Sequence, residues 1–328
     1  MSPAKITNKV ICDATHDLPW NSPEEGSIRK YRAFYLPSSI HESHGIAIPE
    51  CRRKRPILLL AGTSIPLSDR SDLVRYFVEA GYEVASIINP IGGPFDFGID
   101  PKKDRVDALR DYLDWLIEVA NVRELLIVAQ SYSAYETVRL LFENPDKYEK
   151  NILGIVFINP PVLNEGTGVI KHCSRFVWHH VLKGCSGAVG NLLGKDSTVN
   201  DRSFARREMA GIVRWTCNTF RNPVRTMKEV LDIVSYRIKD RLAVLVKKHQ
   251  YDINLFLQSD DQLLPIDITL GQLQEELCCD NIKIVPGGHN DIFFQACRRN
   301  ELIEFIRQIM LRTVDKYGRG LDTGLPGA

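Results

Sequence analysis

The chain has 328 residues, of which 44% are hydrophobic and 25% charged, proportions that are ordinary for a globular protein with a sizeable core. The 42 basic and 41 acidic residues leave a formal net charge of +1, which argues against a nucleic-acid-binding protein. This length fits one large α/β domain, or one domain that carries a substantial insertion.

Features of membrane, secreted and metal-binding proteins are missing from the sequence. No apolar run approaches the roughly 20 residues that cross a bilayer, and the N-terminus has no secretory signal. The eight cysteines form no C-x-x-C pair, so they indicate neither a disulfide framework nor a zinc site. We therefore expect a cytoplasmic protein that holds no metal ion and needs no cofactor.

Strand and helix signals alternate through the first half of the chain. Residues 1–55 predict only peripheral strands and loops, with a strand signal within Ser27–Leu36. Short apolar runs then predict buried strands at Ile57–Leu60, Glu124–Ala129 and Ile152–Ile158, and Tyr82–Ile88 also has the pattern of a strand. Helical spacing of apolar residues predicts helices between them at Asp69–Ala80, Val106–Ala120 and Ala134–Phe142. This alternation indicates a mostly parallel, doubly wound sheet.

The alternation is interrupted by a long segment without strand signals. Residues 163–250 read as several helices. Strand signals return at Ile253–Leu257 and Ile282–Val285, with one predicted helix between them and one after them, at Leu270–Leu277 and Leu302–Met310.

We therefore predict an α/β core at 1–162 and 251–328, with a helical cap at 163–250 inserted before the last two strands. A cap over the carboxyl ends of parallel strands would cover the crevice where open α/β sheets bind ligands.

A tight strand-to-helix turn is predicted at Ser131, within the segment AQSYS at 129–133. A serine hydroxyl is a poor nucleophile at neutral pH, so it needs a base to take its proton and a third group to hold that base. The residues at 129 and 133 are small, as so tight a turn requires. A lone serine in this setting is usually a helix N-cap, so a catalytic role depends on its partners.

From Pro56 onward the chain resembles the α/β-hydrolase superfamily, whose nucleophile turn usually reads G-x-S-x-G. Here Ala129 and Ser133 replace the two glycines. The family order is nucleophile, acid, histidine, and this chain offers all three in that order. The resemblance implies a serine hydrolase with Ser131 as its nucleophile.

The resemblance also implies the other two members of a catalytic triad. In the family, the acid lies four residues before a proline, in the loop after the strand that follows the insertion. That spacing selects Asp261 within QSDDQLLP at 258–265, with Asp260 as the alternative. The base is His289, which follows the last predicted strand and two glycines, as in the family.

An oxyanion hole needs two backbone N–H groups that point at the developing negative charge. The resemblance places one at Tyr132, directly after the nucleophile. The second comes from the loop AGTS at 61–64, where we predict Thr63, with Ser64 as the alternative. Family members often have His-Gly in this loop and this chain has Ala-Gly, a change that a backbone donor tolerates.

The predicted cap is basic, with 16 Lys and Arg against 7 Asp and Glu in residues 163–250. A solvated helix surface is the ordinary explanation of such a charge. The functional alternative is attraction of an anionic or carrier-bound acyl substrate, or of an acidic membrane surface.

Together these residues predict a hydrolase that cleaves a carboxylic ester or thioester through an acyl-enzyme on Ser131. A non-catalytic small-molecule receptor on the same scaffold is one alternative. A lyase, acyltransferase or C–C hydrolase that uses the same pocket is another. The sequence predicts a small-molecule acyl substrate but neither its identity nor the oligomeric state.

Overall fold

The computed structural model describes most of the predicted core and little of the predicted cap. The described residues are 15–21, 28–37, 55–62, 67–88, 101–161, 236, 238–261, 264, 266–273, 281–289 and 291–317. Their strands are β1 (Thr15–Asn21), β2 (Ile28–Leu36), β3 (Ile57–Leu60), β4 (Val84–Ile88), β5 (Leu125–Gln130), β6 (Ile152–Ile158), β7 (Ile253–Gln258) and β8 (Ile282–Val285).

Within these described ranges, the eight strands form one sheet in the order β1-β2-β4-β3-β5-β6-β7-β8. Strand β2 pairs antiparallel with both β1 and β4, whereas every other neighbouring pair is parallel. One strand therefore runs against the rest, and the predicted mostly parallel sheet is confirmed. Strand β1 was not predicted individually; it contains Pro19, which lacks a backbone N–H and is tolerated because β1 is an edge strand.

Helices cover both faces of the sheet. In the part of the chain that the structure describes, they are α1 (Leu67–Glu79), α2 (Pro101–Glu118), α3 (Tyr132–Glu143), α4 (Pro145–Tyr148), α5 (Ile238–Lys247), α6 (Ile266–Leu273), α7 (Asp291–Phe294) and α8 (Ala296–Tyr317). One face of the sheet packs on α2, α3 and α5, and the other on α1, α7 and α8.

Strand β5 shows why the predicted strands are apolar throughout. Its side chains alternate between the two layers, so that Leu125 and Ile127 join one core cluster while Leu126 and Val128 join the other. All of them are 2% exposed or less. A strand covered on both faces needs apolar residues at most positions, and this explains the short apolar runs in the sequence.

Two of the differences from the predicted helices concern the candidate site and the predicted cap. Helix α3 begins at Tyr132, two residues before its predicted start, because the chain turns directly from β5 into the helix. Helix α5 falls inside the segment predicted as a cap, yet Leu242 and Leu245 are buried in the core cluster beside α3. Residues 163–235 lie outside the described residues, so the cap itself stays a prediction.

No helix in the described ranges combines the length and the apolar character needed to span a bilayer.

The core makes a direct prediction about two leucines on helices. Leu113 of α2 is fully buried, whereas Leu311 of α8 is 53% exposed. We expect Leu113→Ala to lower the free energy of unfolding by about 2–5 kcal/mol, because it removes packed methyl groups and leaves a cavity. The matched Leu311→Ala should change it by less than about 0.5 kcal/mol, because Leu311 lies at the surface, outside the packed core. Urea unfolding followed by circular dichroism would measure both, and equal losses would contradict this description of the core.

Candidate active site

Ser131 occupies the turn between β5 and α3, at the carboxyl edge of the sheet. Its backbone has φ 54° and ψ −123°, a conformation that residues with a side chain adopt only when the surroundings impose it. The Ser131 N–H donates to the carbonyl of Ile158 on the neighbouring strand (2.9 Å), and its own carbonyl accepts from the N–H of Ala134 (3.0 Å). The strained residue is therefore held from both sides.

The residue Ser133 gives a reason for the departure from the usual glycine in this turn. Its hydroxyl is buried and donates to the carbonyl of Ala61 at 2.7 Å, in the loop that follows β3. A glycine at this position could not make this bond. The hydroxyl thus ties the turn that carries Ser131 to the loop in which we predicted an oxyanion-hole donor.

His289 and Asp261 are brought together by the loops that follow β8 and β7. Nδ1 of His289 lies 2.6 Å from Oδ2 of Asp261, and the Asp261 side chain is only 1% exposed. The other carboxylate oxygen of Asp261 accepts the backbone N–H of Leu264 at 2.9 Å. A buried carboxylate that is held on both oxygens can orient the imidazole and balance a positive charge on it.

The alternative acid, Asp260, has a different partner. It is exposed, and its Oδ2 accepts the backbone N–H of Gly287 at 3.0 Å. The Asp260 N–H donates to the carbonyl of the same glycine, also at 3.0 Å. Asp260 therefore links the loop after β7 to the loop after β8, while Asp261 contacts the histidine itself.

The two glycines before His289 shape its loop. Gly287 has φ 135°, and a Cβ built on it would lie 3.0 Å from both Gln258 Nε2 and Asp291 Oδ2, so a side chain does not fit. The Gly288 N–H donates to Asp291 at 2.8 Å. Burial raises the pKa of the Asp291 carboxyl, while the Gly288 N–H and Arg298 oppose that rise.

The loop after β3 approaches the turn at Ser131 closely. The Gly62 N–H donates to Oε1 of Gln130 at 2.8 Å, and a Cβ on Gly62 would lie 3.2 Å from the Cβ of Ser131. Because this N–H is already engaged, a second oxyanion-hole donor would have to come from further along the loop. The predicted donors Thr63 and Ser64 lie there, outside the described residues.

Tyr132, the other predicted oxyanion-hole residue, is the first residue of α3. The first turn of a helix points its backbone N–H groups out of the helix, towards the carboxyl edge of the sheet in this case. The ring of Tyr132 packs 4.5 Å beneath the guanidinium of Arg105. Arg105 in turn lies 2.6 Å from Glu136, with side-chain exposures of 2% and 9%. This buried ion pair fixes the start of α3 beside Ser131.

Three buried amide side chains stand in a row at this edge and were not predicted from the sequence. Gln130 and Gln258 end β5 and β7, and Asn159 directly follows β6, which lies between them. All are 3% exposed or less. A polar residue that ends an apolar strand was a usable signal, because a buried amide needs several hydrogen-bonding partners.

One group of residues in the described ranges has the composition of a metal site. Asp146, Glu149 and His249 each bring a ligand atom within 4.8 Å of the others. Both carboxylates are exposed, and Asp146 already pairs with His249 at 3.3 Å. The cluster lies at the far end of α3, about 18 Å from Ser131 by the length of a 12-residue helix.

The close approach of Gly62 predicts a difference between two glycines. We expect Gly62→Ala to lower the free energy of unfolding by about 1–3 kcal/mol, because a Cβ would meet Gln130 Oε1 at 2.7 Å. The control Gly271→Ala lies at an exposed position of α6 with open space around it, so it should stabilise the protein by about 0.5–1 kcal/mol. Thermal unfolding of both variants would measure this, and a neutral Gly62→Ala would contradict the close approach.

Comparison with known proteins gives relatives at the level of structure. No protein-family profile matches the chain, and no curated protein sequence does. A bromoperoxidase of Bacillus anthracis is 14% identical and has a TM-score of 0.59 over 89% of this chain and 100% of that protein. A carboxylesterase of the thaumarchaeon Nitrososphaera gargenis is also 14% identical, with a TM-score of 0.57 over 91% of this chain and 100% of that one.

A thermophilic esterase of Thermogutta terrifontis is 11% identical and has a TM-score of 0.55 over 90% of this chain and 99% of that protein. Each of these three proteins matches this chain over 89% to 91% of its length. The predicted resemblance is confirmed at the level of fold: the chain has the α/β-hydrolase fold.

Proposed function

We propose that the protein is a serine hydrolase that cleaves carboxylic esters through an acyl-enzyme on Ser131, with His289 as base and Asp261 as the group that orients it. The observation that carries the proposal is the 2.6 Å contact between His289 Nδ1 and the buried carboxylate of Asp261. This contact leaves Nε2 as the ring nitrogen that can take a proton from a nucleophile.

The position of the histidine relative to the serine supports the same proposal. The carbonyl of His289 lies 3.3 Å from Nε2 of Gln130, the residue directly before Ser131. The loop that carries the base therefore reaches the turn that carries the nucleophile. A strained, tightly held serine beside a histidine–carboxylate pair is the arrangement that nucleophilic acyl transfer needs.

The reaction would follow in two halves. Ser131 Oγ attacks the ester carbonyl while His289 takes its proton, and backbone N–H groups at Tyr132 and Thr63 bind the resulting oxyanion. The tetrahedral intermediate collapses, and His289 gives the proton to the departing alcohol. Water then attacks the acyl-enzyme with His289 again as base, which releases the acid and restores Ser131.

The substrate class rests on chemistry and on charge. Esters are the default for this arrangement, and thioesters react by the same steps. The net charge of +9 on residues 163–250 favours an anionic or carrier-bound acyl substrate. The structural relatives include a carboxylesterase and an esterase, which fits the ester proposal.

The alternatives differ in what they predict for a reactive probe. A non-catalytic receptor on this scaffold would bind small molecules without forming a covalent serine adduct. A lyase, acyltransferase or C–C hydrolase would react at Ser131 but give other products. Product analysis with added alcohol or amine acceptors separates these from a hydrolase.

The first prediction of the proposed mechanism concerns Ser131. A fluorophosphonate should label the wild-type protein and fail to label Ser131→Ala, because only an activated serine forms the phosphonyl adduct. Ser259→Ala is the matched control, since Ser259 is exposed and its hydroxyl donates to the neighbouring Asp260. A folded wild-type protein that resists the probe and hydrolyses no p-nitrophenyl ester or acyl thioester would refute the hydrolase proposal.

The second prediction compares the two neighbouring aspartates. Asp261→Asn should lower kcat by about 10⁴-fold, because an amide can no longer hold the histidine in the reactive tautomer. Asp260→Asn should lower it by less than about tenfold, since it removes one charge from an exposed loop contact. Steady-state hydrolysis of a p-nitrophenyl ester measures both, and the reverse order would assign the acid to Asp260.

A further inference from the structure

We propose that Gln130 is a positioning residue whose side-chain amide couples the loop after β3 to the loop of His289; this rests on the proposed function, in which the first loop supplies an oxyanion-hole donor and the second supplies the base. The side chain is 1% exposed, and its backbone directly precedes Ser131. No part of the proposed chemistry described above uses this side chain.

The two ends of the amide have opposite hydrogen-bonding partners. Oε1 accepts the Gly62 N–H at 2.8 Å, and Nε2 donates to the carbonyl of His289 at 3.3 Å. These partners fix the orientation of the amide, because a backbone N–H can only donate and a carbonyl can only accept. A neutral side chain that accepts at one end and donates at the other is therefore required at this position.

Two further amides strengthen the same connection. Nδ2 of Asn159 donates to Oε1 of Gln258 at 2.9 Å and lies 3.5 Å from the carbonyl of His289. Oδ1 of Asn159 accepts the backbone N–H of Gln258 at 2.9 Å. The carbonyl of Gln258 then accepts the N–H of Asp261 at 3.2 Å. The base, its carboxylate and the nucleophile turn are thus joined through buried amides.

The physical effect is on the geometry of the reacting groups. Asp261 holds the His289 ring at one edge, through Nδ1. The bond from Gln130 to the His289 carbonyl fixes the main chain from which the ring projects. The Gln130 side chain also binds the Gly62 N–H. One residue therefore positions both the loop that would supply an oxyanion-hole donor and the loop that would supply the base.

The first test removes the amide from Gln130 and from a matched buried amide elsewhere. Asn254 is fully buried in β7, and its amide contacts Arg312, Ile155 and Asp252. We expect Gln130→Met to lower kcat and the fluorophosphonate labelling rate by about 10²-fold, with KM within about threefold, as a misplaced reacting group does. Asn254→Leu should lower the unfolding temperature and leave kcat within about twofold, because the Asn254 contacts lie away from the reacting groups.

The second test uses Gln130→Glu, which keeps the shape of the side chain. When protonated, the introduced carboxyl can still accept from Gly62 and donate to the His289 carbonyl. When ionised, it can only accept, so it repels that carbonyl. Burial raises the pKa of such a carboxyl, which moves this change towards neutral pH.

The pH profiles therefore separate positioning from simple packing. Wild-type kcat/KM should rise with pH to a plateau, as expected for general-base catalysis. For Gln130→Glu it should rise and then fall by at least about tenfold on the alkaline side. This second variant decides the question if Gln130→Met does not fold, and circular dichroism at each pH checks that the fold persists.

The outcomes distinguish this inference from the proposed function. A reactive wild-type protein whose Gln130 variants keep its labelling rate and its pH profile would overturn the positioning role and leave the hydrolase proposal intact. Equal losses of kcat in Gln130→Met and Asn254→Leu would also overturn it, because buried amides would then matter only for stability. A wild-type protein that reacts with neither probe nor ester would overturn both.

Discussion

The turn at Ser131 is the constraint on which the candidate site depends. A residue with φ 54° between a strand and a helix costs on the order of 1–3 kcal/mol, and it persists only where the surroundings hold it. The Ser131 N–H donates to the Ile158 carbonyl of β6, and the Ser131 carbonyl accepts the N–H of Ala134 in the first turn of α3. The buried face of α3 anchors the helix on the sheet. These contacts prevent the backbone at Ser131 from relaxing, so the serine stays in the tight turn at the carboxyl edge of the sheet.

Parallel strands explain why the other groups meet at this turn. The carboxyl ends of β3, β5, β7 and β8 lie at one edge of the sheet, so the loops that follow them are neighbours although they are far apart in sequence. Each loop brings backbone N–H and C=O groups into a largely buried environment. The amides of Gln130, Asn159 and Gln258 pair with several of these groups, which would otherwise be costly to bury.

The buried charged side chains at the site also have partners. The Asp261 carboxylate is nearly inaccessible to solvent, and both of its oxygens have partners, one of them the histidine ring. Arg105 and Glu136 pair beside Tyr132, where a lone charge of either sign would be unfavourable. Asp261, Arg105 and Glu136 thus each have a partner, and such contacts favour the fixed distances that acyl transfer would need.

The sequence by itself indicated seven of the eight described strands and their mostly parallel arrangement, because apolar periodicity is written within short segments. Through its resemblance to the α/β-hydrolase superfamily, the sequence also implied Ser131, Asp261 and His289 as site residues. It left Asp260 and Asp261 open, and it did not reveal the amides. Only the tertiary structure brings Asp261 rather than Asp260 against His289 and gives Gln130 two partners. These contacts join residues that are 28 to 159 positions apart in the sequence. Residues so far apart along the chain meet only because of how the strands pair in the sheet.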